Sequence, residues 1–365
     1  MQLAFLFIEI TIILVTLVSS KLSAAEAPTC AKTIEHYRIA DTGAGGHSLE
    51  DAATYCLVED VFVKWNYSWI EGRYQQSSKS VIEINESNVI LDLKKYKIWD
   101  EGYTTAAISS GSNSNERKTA YFVRNIEIKN GVIDVKKAGD GILIIGLDEE
   151  QGVDVASDLY DVWKTRSGKS KNAPPDQASI DLAKWSVKND LAKSSLHSTQ
   201  DYPYRNIKIE NLKIKIVGGG RAIVVQGAGT VIRNNVIEVD GGTAIWVGGP
   251  NAIIEGNTII VLGKKDVVSA DASIRLKHAD GAMIRNNRFI IKGGANKRLI
   301  STFDSGDFHF ENNSISGLGK NDAIAQAFSG ELKMHEDPRC RDSWQVADSA
   351  FLQRPGAGSS PCRTY

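Results

Sequence analysis

A short phrase recurs five times in the second half of this chain: an apolar-alternating run, an asparagine corner, then a second run. It reads Ile207-Lys-Ile-Glu-Asn211, Val231-Ile-Arg-Asn-Asn235, Ile253-Ile-Glu-Gly-Asn257, Met283-Ile-Arg-Asn-Asn287 and Phe308-His-Phe-Glu-Asn-Asn313. Each corner leads into another alternating run, and the corners at Asn211, Asn235, Asn257, Asn287 and Asn313 fall 22 to 30 residues apart. A unit of that length cannot bury its apolar face alone and must stack on a copy of itself. Two strands meeting at an asparagine, with a third completing the lap, make one turn of a parallel β-helix. The expected fold class is therefore all-β: a parallel β-helix solenoid with N- and C-terminal caps and one helical insertion.

The domain boundaries follow from where this pattern starts, breaks and stops. Leu3 to Val18 is almost all apolar and is followed by Ser23-Ala-Ala25, small residues that suit cleavage. Residues 1–25 read as a signal peptide, with an uncleaved membrane anchor as the alternative, so the protein is expected to be secreted or periplasmic. Residues 28–78 read as an N-terminal cap, with Ser48-Leu-Glu-Asp-Ala-Ala-Thr-Tyr-Cys56 at helical spacing. The β-helix is placed at 79–316, interrupted at 148–202, where Leu182, Trp185, Leu191 and Leu196 recur with the spacing of an amphipathic helix. Residues 317–365 are left as a C-terminal cap and tail. Four cysteines in an exported chain favour disulfides. Their grouping suggests Cys30–Cys56 and Cys340–Cys362, although four cysteines permit three pairings.

Formal net charge is −1 with no block of like charges, which argues against a nucleic-acid partner. No stable membrane partner is expected after signal cleavage. Recognition by charge must then be local, and aligning the laps shows where. The third strands are Gly141-Ile-Leu-Ile-Ile145, Ala222-Ile-Val-Val-Gln226, Ala244-Ile-Trp-Val-Gly248, Ser273-Ile-Arg-Leu-Lys277 and Leu299-Ile-Ser-Thr-Phe303. Ile142, Ile223, Ile245, Ile274 and Ile300 form an unbroken apolar stack that must point inward. By period two, Val224, Trp246, Arg275 and Ser301 face outward, as do Gln226, Gly248, Lys277 and Phe303. Trp246 beside Arg275, with Lys277, His278, Asp280 and Asp304 nearby, forms an expected open ledge of aromatic, cationic and carboxylate groups. Asp140, Arg221, Asp240 and Asp271 edge it, mostly as turn residues. The insertion leaves just after Ile145 and is expected to flank the ledge, bringing Trp185 and His197 near it. An outward tryptophan suits a sugar ring and the cations suit its carboxylate.

The asparagine corners and three-strand laps over residues 80–316 resemble the pectate-lyase-like superfamily of right-handed parallel β-helices. That resemblance implies a right-handed coil and a substrate cleft along the third-strand sheet. Arg275-Leu-Lys277 resembles the Arg-Ile-Lys element of polygalacturonase-like enzymes, whose Asn-Thr-Asp, Asp-Asp and Gly-His-Gly elements are not found at the expected laps. Arg275 with Lys277 is also similar to the Lys/Arg pair of alginate- and chondroitin-type lyases. The implied function is cleavage or modification of an acidic, uronate-containing polysaccharide by β-elimination. Arg275 would neutralise the carboxylate, Lys277 or His278 would act as base, and Trp246 and Gln226 would bind the sugar. A glycosidase would instead use Asp280 and Asp304 as its two carboxylates. The other alternative is a non-catalytic polysaccharide-binding or surface protein. The residues nominate no metal ligands, and the resemblance leaves calcium as the cofactor to test.

Overall fold

Isoleucine lies on isoleucine along three faces of the molecule, as the repeated phrase requires. The computed structural model describes residues 29–35, 47–63, 80–100, 106–110, 123–136, 139–144, 204–241, 243–263, 272–292, 298–303, 305, 307–318, 323–329, 333–336, 345–348 and 351–353. These residues form strands and turns only. Two mostly parallel sheets of sixteen and eleven strands wrap into a β-helix. On the first face, Leu91, Ile128, Ile209, Ile232, Ile254, Ile284 and Phe310 stack in register and point inward. On the second face the inward stack is Ile98, Ile133, Ile214, Ile237, Ile259 and Phe289. On the third it is Ile82, Ile108, Ile142, Ile223, Ile245, Ile274 and Ile300. Each fully buried isoleucine contributes about 1.5–3 kcal/mol by leaving water. β-Branching suits the pleated backbone on which it stacks.

The corner between the first and second faces explains the paired asparagines. The first member takes a left-handed backbone, with φ of 56° at Asn211, Asn234 and Asn286 and 51° at Asn312; Gly256 fills the same place at 66°. The second member points inward and builds a ladder. Asn235, Asn257 and Asn287 each donate from Nδ2 to the Oδ1 of the asparagine on the next lap at 3.0 Å, ending on Asn313. Their Nδ2 groups also reach the backbone carbonyls of Ile209, Ile232 and Ile254. The ladder satisfies buried backbone groups that a turn would otherwise strand. Asn211 corresponds to Asn234, not to Asn235 as the sequence alignment assumed: Lys213 pairs with Val236, so Leu212 holds the ladder position. Its backbone N–H still donates to Asn235 Oδ1 at 2.9 Å.

The parallel laps extend beyond 79–316 at both ends. His47–Leu49 and Thr54–Leu57 are strands paired into the two sheets, so the expected helix at Ser48–Cys56 is a correction. The apolar positions Leu49, Tyr55 and Leu57 are buried because a turn at Glu50–Ala53 separates two short strands, a break that mimics helical spacing. Lys32–Ile34 pairs with Thr54–Leu57, and the Cys30–Cys56 disulfide, with a Cα–Cα distance of 5.6 Å, ties these first strands together. Past Ser316, Ala323–Ser329 and Lys333–Glu336 add further parallel strands. Phe351–Gln353 and Gln345–Asp348 then close the third face with antiparallel pairing. The signal peptide, the helical insertion with Trp185 and His197, and the Cys340–Cys362 pair lie outside the described residues. The strands that flank residues 145–203 pair directly, Arg124–Lys136 with Arg205–Val217 and Ile142 with Ile223.

Candidate functional site

The third face fixes the candidate residues through its register. Trp246 lies opposite Val224 on one side and Arg275 on the other, and Arg275 lies opposite Ser301. One outward column therefore reads Leu143, Val224, Trp246, Arg275, Ser301, Gln326, with neighbouring laps ~4.8 Å apart. The next outward column reads Gln226, Gly248, Lys277. The column assignment made from the sequence is the one observed.

The expectation of an open ledge is corrected. Trp246 is 5% exposed, Arg275 5% and Lys277 7%. Leu143, Val224 and Trp246 join Ala106 in a small apolar cluster outside the coil, separate from the core. Part of the cover is Arg221, whose guanidinium lies 5.3 Å from the Trp246 ring centroid. Asp140 holds that guanidinium: Arg221 Nη2 donates to Asp140 Oδ2 at 2.7 Å and Nε donates to Oδ1 at 3.1 Å. The Arg221 backbone N–H also donates to Asp140 Oδ1, at 2.8 Å. Asp140 and Arg221 are thus more than turn residues; they clamp the platform's ring. The signal was present in the aligned laps, since the two hold equivalent positions just ahead of paired strands. Asp240 does serve a turn, accepting from the backbone of Gly218 and Gly219.

At the other edge of the face, Gly248 opens a notch in the second column. A Cβ there would sit 3.1 Å from Gln226 Cγ, so the half-buried Gln226 side chain lies against Gly248, on the Lys277 side of its own strand. His278 follows Lys277, half-buried and in the left-handed region at φ 49°; the preceding lap uses Gly249 at φ 110°. A non-glycine residue there carries strain, which is common where function sets the conformation. Asp280 is exposed and accepts the backbone N–H of Asp307 at 3.4 Å. Asp304, its nominated carboxylate partner, lies outside the described residues, as does Asp271. The arrangement thus gathers Trp246, Arg275, Lys277 and Gln226 on one face, with His278 at its end. Two outward groups were assigned no role from the sequence. Ser301 carries no charge, and Gln326 lies beyond Ser316, where the repeated phrase ends.

Chemically, Arg275 and Lys277 place two cationic groups on the outward side of one strand, both nearly buried, where a charge-assisted hydrogen bond is stronger than in bulk water. Among the described residues no group of three or more His, Cys, Asp or Glu side chains is arranged to hold a metal ion.

Residues 198–336 match the family model described as a right handed beta helix region. The match spans the laps that carry Gln226, Trp246, Arg275, Lys277 and Ser301, and the all-β parallel coil is a right-handed one. No curated protein matches the chain. No solved structure matches it either.

Proposed function

We propose that this protein is an exported, carbohydrate-active β-helix protein that cleaves an acidic, uronate-containing polysaccharide by β-elimination. The observation that carries the reading is the in-register neighbourhood of Trp246, Arg275 and Lys277 on the outer third face. In such a reaction a base removes the proton at C5 of a uronate, the C4–O bond breaks, and a double bond forms between C4 and C5. The proton balance closes when the departing oxygen takes up a proton. Arg275 neutralises the uronate carboxylate and so acidifies C5–H. Lys277 or His278 accepts the proton. Trp246 packs against the sugar once the Arg221 guanidinium that covers its ring swings aside. Export rests on the apolar run Leu3 to Val18 and the small residues after it.

The near-complete burial of the same side chains favours a second reading, a non-catalytic protein in which this face is packed or only binds. Absorbance near 235 nm separates the two. The wild-type protein is incubated with polygalacturonate, alginate and chondroitin, with and without calcium. A rise that is lost in Lys277→Ala or Arg275→Ala, by 100-fold or more, supports elimination. A flat trace on every polymer in both conditions rejects it and leaves the second reading.

A further inference from the structure

The column that contains Arg275 continues for two more laps, and both carry polar groups that the fold leaves unused. Ser301 is fully buried, and its Oγ has no hydrogen-bond partner among the described residues. Gln326, one lap on, has its Oε1 buried in the same condition. Ser301 alternates with Ile300 and Thr302, and Ile300 belongs to the inner stack, so Ser301 points out of the coil. Thr302 and Ser110 also hold unpartnered hydroxyls, but Thr302 aligns with Leu276 and Ser110 with Ile144, both in the inner stack, where no ligand reaches. Among the described residues, Ser301 and Gln326 combine an unpartnered polar atom with the outward column of the buried Arg275.

Folded proteins satisfy nearly all buried polar atoms, because each one left unpaired costs stability. Two such atoms in consecutive laps, the first of them on the lap beside a buried guanidinium, leave hydrogen-bonding capacity that a hydroxyl-bearing ligand would satisfy. A serine hydroxyl can both donate and accept; an amide oxygen only accepts. Sugar hydroxyls complement both.

We infer that Ser301 and Gln326 form a hydroxyl-binding subsite for the sugar adjoining the uronate held by Arg275, so that the glycan runs along the coil axis toward the C-terminal laps. This rests on the reading of the same face as a site for an acidic glycan. It assigns recognition to uncharged groups and makes Ser301 and Gln326 specificity residues with no part in the chemical step.

Ser301→Ala and Gln326→Leu, made in the full chain, test the assignment with two readouts. Without ligand, Ser301→Ala should melt at or above the wild-type temperature, because it removes an unpaired buried hydroxyl. Calorimetric titration with size-fractionated polygalacturonate and alginate oligosaccharides should show binding weakened about 5- to 10-fold in each variant. Where turnover is measurable, KM rises by a similar factor and kcat holds. Unchanged binding in both variants, for a glycan the wild type binds, overturns the subsite. So does a lower melting temperature with unchanged binding, which would identify an internal water or a structural hydroxyl. A wild type that binds but does not cleave leaves the subsite standing and rejects only elimination; a wild type that binds neither glycan rejects both.

Discussion

At the scale of single residues, the corners decide which side chains the coil accepts. Gly256 holds φ 66° where the laps on either side place Asn234 and Asn286. A Cβ at Gly256 would come within 2.6 Å of Asn234 Oδ1, so the asparagine of one lap occupies the space above the corner of the next. Gly256→Ala should therefore destabilise the protein by about 1–2 kcal/mol, since an L-residue in this region is strained even without a neighbour. Urea unfolding at neutral pH measures this, and an unchanged midpoint would show that Asn234 swings away at no cost. Most other described corners solve the problem with asparagine, whose short side chain tolerates the left-handed region. His278 is the unusual solution, and it stands at the end of the candidate site.

Among elements, the outer surface of the first face carries a device of a different kind. Its strands align Asp92, Lys129, Glu210, Arg233, Glu255, Arg285 and Glu311 in one column, with the sign of charge alternating at every lap. Arg233 Nε donates to Glu210 Oε2 at 2.6 Å and Arg285 Nε donates to Glu255 Oε2 at 2.8 Å. Lys208 adds a third charge at 2.8 Å from Glu210. Opposite charges directly across a parallel pair stabilise it, and a register slip would break that match, so the column reinforces what the isoleucines specify. Burial alone would raise the Glu210 carboxyl, but the hydrogen bonds from Lys208 and Arg233 outweigh it and hold the group below its ordinary value. A lowered folded-state pKa contributes stability above the unfolded-state value of about 4.3 and loses it as pH falls through the folded-state value. Glu210→Gln should thus cost about 1–2 kcal/mol at pH 7, with the gap to wild type narrowing below about pH 4. Urea denaturation at pH 7 and at pH 3 tests this, and an equal gap at both would remove Glu210 as the source.

For the molecule as a whole, the coil is a one-dimensional stack in which each lap leans on its neighbours, so its ends are the weak points. The Cys30–Cys56 bridge, with a sequence separation of 26, sits at the first described strands and ties two of them across one face. Removing it should cost about 3.5 kcal/mol by the chain-entropy estimate for such a loop. Hydrogen exchange on Cys30→Ser should show faster exchange over residues 47–63 and unchanged protection over 231–261. Uniform loss along the coil would instead mean that the laps unfold as one cooperative unit. The same stacking lets the strands on either side of residues 145–203 pair with each other in full register.

The amino-acid sequence by itself determined the parallel stack, its three faces and the outward column through Trp246, Arg275 and Lys277. Period two and a recurring corner leave one way to bury Ile142, Ile223, Ile245, Ile274 and Ile300 together. It misplaced the ends, because strands as short as His47–Leu49 and Thr54–Leu57 are too brief to show alternation and a turn between them imitates a helix. It also set Asn211 beside Asn235, because a repeated letter does not reveal which of two adjacent corner positions it fills. Only the tertiary structure decided that the outward face is covered, that Arg221 is clamped by Asp140 over Trp246, and that Ser301 Oγ and Gln326 Oε1 are buried without hydrogen-bond partners. Alternation says which side of a strand a residue takes; what lies against that side depends on groups brought from distant laps, and local pattern holds no record of them.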